Sequence, residues 1–312
     1  MQNRFSTTTN HGARILRRRS LLALALLCAV LGSLAASRLC TFAQVAANSA
    51  PQKVKILVCV ISGESEPEMS MDAVVIVDRG KLEQPYAEDK DAEQIHFANE
   101  YFGAGRKYRL TFGGGDAGTA TVRKWEKGCN NIHATVAIKT SARIREGVMA
   151  LATNSETLGS KPSARRAPSA AERASVMKMV KQFYSSKGTP PSMLSRLTTT
   201  NLTATDLDGD GKFELVGSFV ITASNKFRRD LFMIAEPQGA GYKAALMEYQ
   251  SYKLPPEGFD SAIKFVDQLD LDGDGVGEVF AIQGGFDAYG YSIYRKQNGR
   301  WRKVYSATGD AC

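Results

Sequence analysis

Short apolar runs and stretches of alternating polarity divide the first half of the chain into predicted β-strands. Residues 54–61 form a compact β-branched apolar run, typical of a buried strand, and residues 132–138 alternate. Residues 95–102 fit either a strand or a short helix. Further strands are predicted over residues 73–77, 108–112 and 119–125, the last two joined by a glycine-rich turn at 113–118. Residues 51–152 are therefore predicted to form an N-terminal β-domain of about six strands.

One amphipathic helix follows, within a predicted linker-plus-helix segment at residues 153–191. Ser169 and Glu172 have the spacing of a capping box, which predicts a helix over residues 169–187. An apolar face with helical spacing consists of Val176, Met179, Val180 and Phe183. We expect this face to pack on a β-sheet; the alternative is a helix that binds a partner.

The rest of the chain, residues 192–312, contains two similar units whose equivalent residues are offset by 64 positions. Predicted strands lie at 202–205, 214–222, 230–236 and 242–250 in the first unit, and at 262–269, 278–283, 289–295 and 301–306 in the second. Each unit is thus a four-stranded antiparallel meander, the shape of a β-propeller blade. The fold class is mainly β. Two blades cannot close a propeller, so either they pack as a sandwich-like pair with the helix covering an open face, which we favour, or the N-terminal strands extend the array.

An acidic nine-residue loop joins the first two strands of each unit. The two copies read DLDGDGKFE (206–214) and DLDGDGVGE (270–278), with carboxylates at positions 1, 3, 5 and 9. Two carboxylates about 4 Å apart repel by roughly 4 kcal/mol at an effective dielectric near 20, so four converge stably only around a cation. Ligands that are all oxygen favour Ca²⁺.

Two Ca²⁺ ions are therefore predicted. Their proposed ligands are the side chains of Asp206, Asp208, Asp210, Glu214, Asp270, Asp272, Asp274 and Glu278, with the carbonyl groups of Lys212 and Val276. The loops are not EF-hands, because position 12 is Gly217 or Ala281 and the flanking segments are predicted strands. The alternative interpretation is a pair of metal-free turns rich in Asp and Gly.

The pattern Asp-x-Asp-Gly-Asp-Gly-x-x-Glu followed by an apolar strand resembles the calcium loop of FG-GAP/VCBS repeats. These are integrin-alpha-like propeller blades found in many secreted bacterial proteins. The family usually has Asp at position 9, from which Glu214 and Glu278 depart. The resemblance covers about residues 194–312 and does not extend to residues 51–152.

The net charge of +8 is misleading as a guide to partners. Residues 1–43 contain six arginines and no acidic residue, and the remainder has 34 basic against 32 acidic residues. A nearly neutral body does not predict a nucleic-acid partner.

The basic start has the pattern of an export signal. Three arginines at 17–19 precede an apolar run at 21–36 with small residues near its end, as in a secretory signal peptide. Residues 1–43 are predicted to be a signal peptide cleaved after Ala43, or after Ala46 or Ala47. The alternative is an uncleaved signal anchor, which would be the chain's only membrane attachment. Either interpretation predicts a periplasmic, cell-surface or secreted protein.

Export makes disulfide bonds feasible. Cleavage after Ala43 leaves Cys59, Cys129 and Cys312. A Cys59–Cys129 bridge is one prediction, and a buried free thiol at Cys59 with an unrelated loop cysteine at 129 is the other.

No catalytic residue can be assigned from motifs. His96 and His133 lie near Glu100 and Asp116 in the sequence, but without the spacing of metal ligands or of a catalytic triad. The aromatic residues that would make a sugar or peptide platform, or else belong to the core, are Trp125, Tyr289, Tyr291, Tyr294 and Trp301.

The leading hypothesis is an exported, non-catalytic, calcium-binding β-repeat protein that recognises a protein or glycan ligand or has a structural role at the cell envelope or outside the cell. The alternative is a secreted or periplasmic hydrolase whose active site lies in the N-terminal β-domain, with accessory calcium units. The residues leave open whether the protein is an enzyme and favour a non-catalytic role.

Overall fold

A computed structural model describes residues 55–63, 68–144, 147–162, 164–224, 227–253, 262–284 and 288–311. The predicted signal segment, with its cleavage or anchor alternatives, lies outside these residues, as does Cys312. No helix in the described ranges has both the length and the apolar character needed to span a bilayer. The prediction of a mainly β fold is confirmed.

The N-terminal strands close into a six-stranded antiparallel barrel. Its strand order is β1-β7-β4-β5-β6-β2, and pairing of β1 with β2 completes the ring, while β3 extends outward from β2. Residues 95–101 belong to a helix rather than a strand, and Phe102 follows the end of this helix. The elements are β1 (Ile56–Ser62), β2 (Glu68–Asp78), β3 (Lys81–Glu83), α1 (Asp91–Tyr101), β4 (Lys107–Phe112), β5 (Gly115–Lys127), β6 (Ile132–Thr140) and β7 (Ala150–Thr153).

The continuous apolar run in β1 is explained by burial of both its faces. Leu57, Cys59 and Ile61 point into the apolar interior of the barrel. Val58 and Val60 point outward and pack against a second sheet. Successive side chains of a strand face opposite sides, so a strand between two cores needs apolar residues at every position.

Two antiparallel meanders follow. The first belongs to a five-stranded sheet with the order β12-β11-β10-β9-β8, and the second is a four-stranded sheet with the order β13-β14-β15-β16. The elements are β8 (Arg165–Arg166), α2 (Ala170–Ser186), α3 (Pro191–Leu194), β9 (Leu197–Thr205), β10 (Glu214–Ser224), β11 (Phe227–Gln238), β12 (Gly241–Lys253), β13 (Ile263–Leu269), β14 (Glu278–Gly284), β15 (Ala288–Gln297) and β16 (Arg300–Ala311).

The layers stack in the order barrel, four-stranded sheet, five-stranded sheet, helix α2. Phe280 packs against the barrel, whereas its neighbour Val279 packs against the five-stranded sheet. Val216 of the five-stranded sheet faces Val279, and Phe219 on its opposite side faces α2. The two meanders therefore pack as a pair with the helix on an open face, and the N-terminal strands form a barrel of their own.

A buried ion pair lies where the barrel and both sheets meet. The Arg165 guanidinium of β8 is 3.2 Å from the Asp267 carboxylate of β13, and both side chains are almost fully buried. The same carboxylate accepts the backbone N–H of Gly113, in the β4–β5 turn, at 2.9 Å. One carboxylate thus joins three structural units.

Helix α2 begins as predicted, at a complete capping box. The Ser169 hydroxyl accepts the Glu172 N–H, and the Glu172 carboxylate accepts the Ser169 N–H. The buried side chains are Val176, Val180 and Tyr184, whereas Met179 and Phe183 are only partly buried. The buried face therefore includes two of the four predicted residues and is shifted towards Tyr184.

Glu172 also forms a two-pronged ion pair with Arg166, with both N–O distances at 2.8 Å. The hydrogen bond from Arg166 is the main reason that the pKa of Glu172 falls from 4.5 to about 2. A depressed carboxyl pKa stabilises the fold above pH 4.5, and this stabilisation disappears as the pH falls towards 2.

We therefore expect Glu172→Gln to lower the free energy of unfolding by about 1 kcal/mol at pH 7, since Gln retains the cap but not the charge. Urea unfolding at a series of pH values checks this. The deficit relative to the natural chain should shrink between pH 4.5 and pH 2; a deficit that stays constant over that range would contradict the ion-pair explanation.

The prediction of a Cys59–Cys129 bridge is wrong. Cys59 is a free, fully buried thiol whose side chain belongs to the packed barrel interior. Cys129 lies in the exposed β5–β6 turn and is disulfide-bonded, so its partner is not Cys59.

Candidate metal centres

The two acidic loops occupy equivalent places, each between the first two strands of a meander. The first joins β9 to β10 and the second joins β13 to β14. Gly209 and Gly211 have φ of 72° and 82°, and Gly273 and Gly275 have φ of 78° and 93°. Side chains rarely adopt these left-handed values, which explains why both copies have glycine at positions 4 and 6.

Each loop is closed by the same set of backbone-to-carboxylate hydrogen bonds. In the first loop Asp206 accepts the N–H groups of Gly209 and Gly211 at 2.8 and 3.0 Å. Glu214 at position 9 accepts the N–H of Leu207 at position 2, at 2.8 Å. The first and last carboxylates therefore hold the loop in a tight curve.

The second loop repeats this arrangement within a few tenths of an ångström. Asp270 accepts from Gly273 at 2.8 Å and from Gly275 at 3.1 Å. Glu278 accepts the N–H of Leu271 at 2.7 Å. The two sequences thus fold into one loop conformation.

Carboxylate oxygens converge in both loops. The side chains of Asp206, Asp208 and Asp210 place ligand atoms within 4.8 Å of one another. This donor set is oxygen only, which suits a hard cation such as Ca²⁺. The fourth predicted side chain, Glu214, closes the loop but lies outside this close group.

In the second loop the close group is Asp270, Asp272 and Glu278. Asp274 is instead turned to the N–H of Val276 at 2.8 Å, as Asp210 is to the N–H of Lys212 at 2.7 Å. The carbonyl groups of Lys212 and Val276 stay predicted ligands.

The position-9 glutamates are the buried members of the loops. Burial is the largest cause that raises the pKa of Glu214 and of Glu278 to about 7 in each case. In the first loop the nearby Asp208 carboxylate raises it further. Burial and neighbouring carboxylates both disfavour the ionised glutamate, and a bound cation would offset both effects.

Sequence reasoning missed the residues that flank these loops on the next strand. Ala235 pairs with Leu215, which places Glu236 beside Glu214 at the end of the ladder. Glu236 and Lys296 also line a small cavity with the carboxylates of the first loop.

The equivalent register in the second sheet pairs Tyr294 with Val279. It places Arg295 beside Glu278. The position that flanks the ninth loop residue is thus acidic in one unit and basic in the other. Counting back from the turn after the third strand would have identified both residues.

The two histidines do not form a common site. His96 is mostly exposed on α1, and its Nε2 is 3.7 Å from Glu100. His133 on β6 is 3.7 Å from Glu126 on β5. Asp116 forms an ion pair with Arg109 at 3.2 Å and not with either histidine.

Two of the aromatic residues join the barrel to the four-stranded sheet. The hydroxyl groups of Tyr289 and Tyr291 both donate to Asp72 Oδ2 at 2.8 Å. Burial raises the pKa of Asp72, against the opposing effect of these hydrogen bonds. The two tyrosines are therefore interior contacts rather than a binding platform.

The remaining aromatic candidates also have structural contacts. Trp301 is buried and donates its Nε1–H to Glu236 at 3.0 Å. Tyr294 is buried and donates to Glu248 at 2.7 Å. Trp125 packs against the barrel core.

Comparison with protein-family models, curated proteins and solved structures finds no match for this chain. The resemblance to FG-GAP/VCBS repeats therefore depends on the loop residues themselves.

Proposed function

We propose that this chain is an exported, non-catalytic β-protein whose two meanders are propeller-blade-like units, each folded around one Ca²⁺ ion. The observation that carries the proposal is the repeated loop: the same carboxylate spacing, the same closing hydrogen bonds and a convergent oxygen cluster occur twice. A turn that only reverses the chain needs no such convergence of charge.

The role of the ion in this proposal is structural. It would join the ends of two adjacent strands and offset repulsion among carboxylates that the backbone already holds together. Extracellular calcium modules bind with Kd on the order of 10⁻⁴ to 10⁻³ M, matched to ambient calcium. At about ten times Kd, one ion adds roughly 1.4 kcal/mol to the free energy of unfolding.

The stacking of the sheets supports the blade interpretation. Each loop lies between the first and second strands of a four-stranded meander, and the meanders pack face to face through residues such as Phe232 and Tyr294, whose ring centroids are 5.3 Å apart. Face-to-face packing of such meanders is how propeller blades form a core.

The work of the protein in this proposal is recognition of a protein or glycan, or a structural role, at the envelope or outside the cell. The barrel interior supports a non-catalytic role, because apolar side chains such as Met71, Leu110 and Ile132 fill it. The nearly neutral body favours neither nucleic acid nor an anionic membrane as a partner.

Calcium titration with thermal melting tests this proposal. We expect Ca²⁺ in excess over Kd to raise the melting temperature by roughly 5–10 °C relative to the protein in EGTA, because two ions together add about 3 kcal/mol. The double variant Asp208→Asn/Asp272→Asn should lose this response.

The control is Asp89→Asn, which removes an exposed carboxylate outside both loops and should respond to Ca²⁺ like the natural chain. Magnesium at the same concentration separates a calcium effect from ionic strength. A melting temperature that is equal in Ca²⁺ and in EGTA would refute the proposed calcium role.

A further inference from the structure

We infer that the two loops differ in calcium affinity, because Arg295 pairs directly with two carboxylates of the second cluster, whereas no mostly buried cation among the described residues pairs directly with the first cluster. This inference rests on the proposed calcium role and makes it specific: the first loop fills at low Ca²⁺ and the second only at higher Ca²⁺.

The contacts of Arg295 place its positive charge inside the second cluster. Its Nε is 2.5 Å from Glu278 Oε1 and 3.3 Å from Asp272 Oδ2. Both carboxylates belong to the close group of the second loop. A guanidinium that touches two of three clustered carboxylates already offsets their repulsion.

The setting of Arg295 makes this charge persistent. Only 16% of the Arg295 side chain is exposed, and only 1% of Glu278. A buried pair is screened by salt far less than an exposed one. The Arg295 Nη2 is buried and has no hydrogen-bond partner among the described residues. The ion-pair partners of this guanidinium among the described residues are the Glu278 and Asp272 carboxylates.

The first loop has the opposite charge at the same register position. Glu236 flanks Glu214 there, and its own charge is offset by Lys296 at 2.9 Å and Lys243 at 3.3 Å. These lysines contact Glu236. Lys296 also lines the small cavity beside Asp208 and Asp210, but within the described residues it forms no ion pair with the Asp206, Asp208 and Asp210 carboxylates.

One lysine does contact the first cluster, but weakly. Lys212 Nζ is 2.9 Å from Asp210 alone, and its side chain is 68% exposed. An exposed lysine on a flexible stem is screened by solvent and turns away at little cost. It does not match the buried, two-carboxylate contact of Arg295.

The physical consequence is a difference in Kd. A divalent cation entering the second loop must either approach the guanidinium or displace it from Glu278 and Asp272. Removing that charge is expected to increase the calcium affinity of the second loop by about tenfold or more and to leave the affinity of the first loop unchanged. In EGTA, removal of the Arg295 charge should instead lower the stability of the protein. Without calcium and without the guanidinium, the carboxylates of the second cluster have no counter-ion.

The test is a calcium titration followed by calorimetry, with melting temperature in EGTA as a second readout. We expect the natural chain to show a tighter and a weaker site. Asp208→Asn should remove the tighter one and Asp272→Asn the weaker one. Arg295→Gln should tighten the weaker site about tenfold and lower the melting temperature in EGTA.

Two further variants keep the test decisive. Arg302→Gln removes the same charge from an exposed position opposite Arg295 on β16, and should change either Kd less than twofold. Arg295→Lys keeps a positive charge beside the carboxylates and should leave the weaker site weak, even if Arg295→Gln folds poorly.

Equal affinities at the two loops, or a weaker site that Arg295→Gln leaves unchanged or loosens, would overturn the inference while the calcium role stands. Loss of the tighter site in Asp272→Asn would also overturn it. Absence of calcium binding at both loops in the natural chain would refute the proposed function itself.

Discussion

The Asp267→Ala variant is expected to lose about 3–5 kcal/mol of its free energy of unfolding, because it leaves the Arg165 guanidinium buried without a counter-ion. Asp267 is completely buried and Arg165 nearly so. The remaining contacts of Arg165 are the carbonyl groups of Met149 and Val266 and the faces of two phenylalanine rings, none of which has a full negative charge.

The location of the pair makes the loss global rather than local. Asp267 lies on β13, Arg165 on β8 and Gly113 in a turn of the barrel. The Gly113 N–H donates to both Asp267 oxygens, at 3.0 and 2.9 Å, and has no replacement acceptor in the variant. Urea unfolding should therefore show one cooperative transition at a lower midpoint, with an unchanged slope.

Burial nevertheless makes this ion pair expensive. It raises the pKa of Asp267 to about 6, and the opposing effect of Arg165 does not cancel that rise. The cost of desolvating the Asp267 carboxylate thus exceeds its attraction to Arg165. In such a case, replacing both charged residues by apolar ones is tolerated better than removing one of them. Arg165→Met/Asp267→Leu should therefore be less destabilised than Asp267→Ala alone.

The matched control for charge removal at a surface is Glu126→Ala, which removes an exposed carboxylate that pairs with exposed Lys124 and lies 3.7 Å from His133. That variant should stay within about 0.5 kcal/mol of the natural chain. If the double variant is as unstable as Asp267→Ala, the cost does not come from an unpaired guanidinium and our explanation fails.

Local signals in the sequence predict the local structure well. The Ser169 and Glu172 spacing marks the start of α2 at the correct residue, because a capping box depends only on neighbours along the chain. The loop glycines fall at left-handed positions for the same reason. All eight strands predicted in the two meanders are present, though several are longer at their ends.

Long-range pairing was not predictable from these patterns. Closure of the barrel depends on β1 pairing with both β2 and β7, and no single-strand pattern encodes which partners a strand takes. The Arg165–Asp267 pair joins residues about a hundred positions apart, so neither charge stands out in the sequence.

The electrostatic difference between the two loops is only partly predictable from the sequence. The nine-residue motifs are nearly identical, so the motif alone predicts two equal sites. Glu236 and Arg295 become visible only when the hairpin register is known, because each is brought beside its loop by the third strand of the meander. The repeat thus predicts a shared conformation, while the flanking strand sets the electrostatics.

Tyr184→Ala is expected to cost about 3–5 kcal/mol, as for other large buried aromatic side chains. Tyr184 is fully buried between α2 and the five-stranded sheet. Its hydroxyl donates to the carbonyl of Phe219 at 2.8 Å and lies 3.2 Å from that of Arg229. The side chain therefore fixes the helix to two adjacent strands, β10 and β11.

The variant Tyr184→Phe separates packing from hydrogen bonding, because it keeps the ring and removes only the hydroxyl. It should lower the free energy of unfolding by only about 1 kcal/mol. Lys181→Ala, on the exposed side of the same helix, should change stability by less than about 0.5 kcal/mol. Urea unfolding of the three variants measures these differences. If Tyr184→Ala costs no more than Tyr184→Phe, the ring does not hold the helix on the sheet. The calcium-dependent rise in melting temperature should persist in all three, because Tyr184 contacts neither acidic loop.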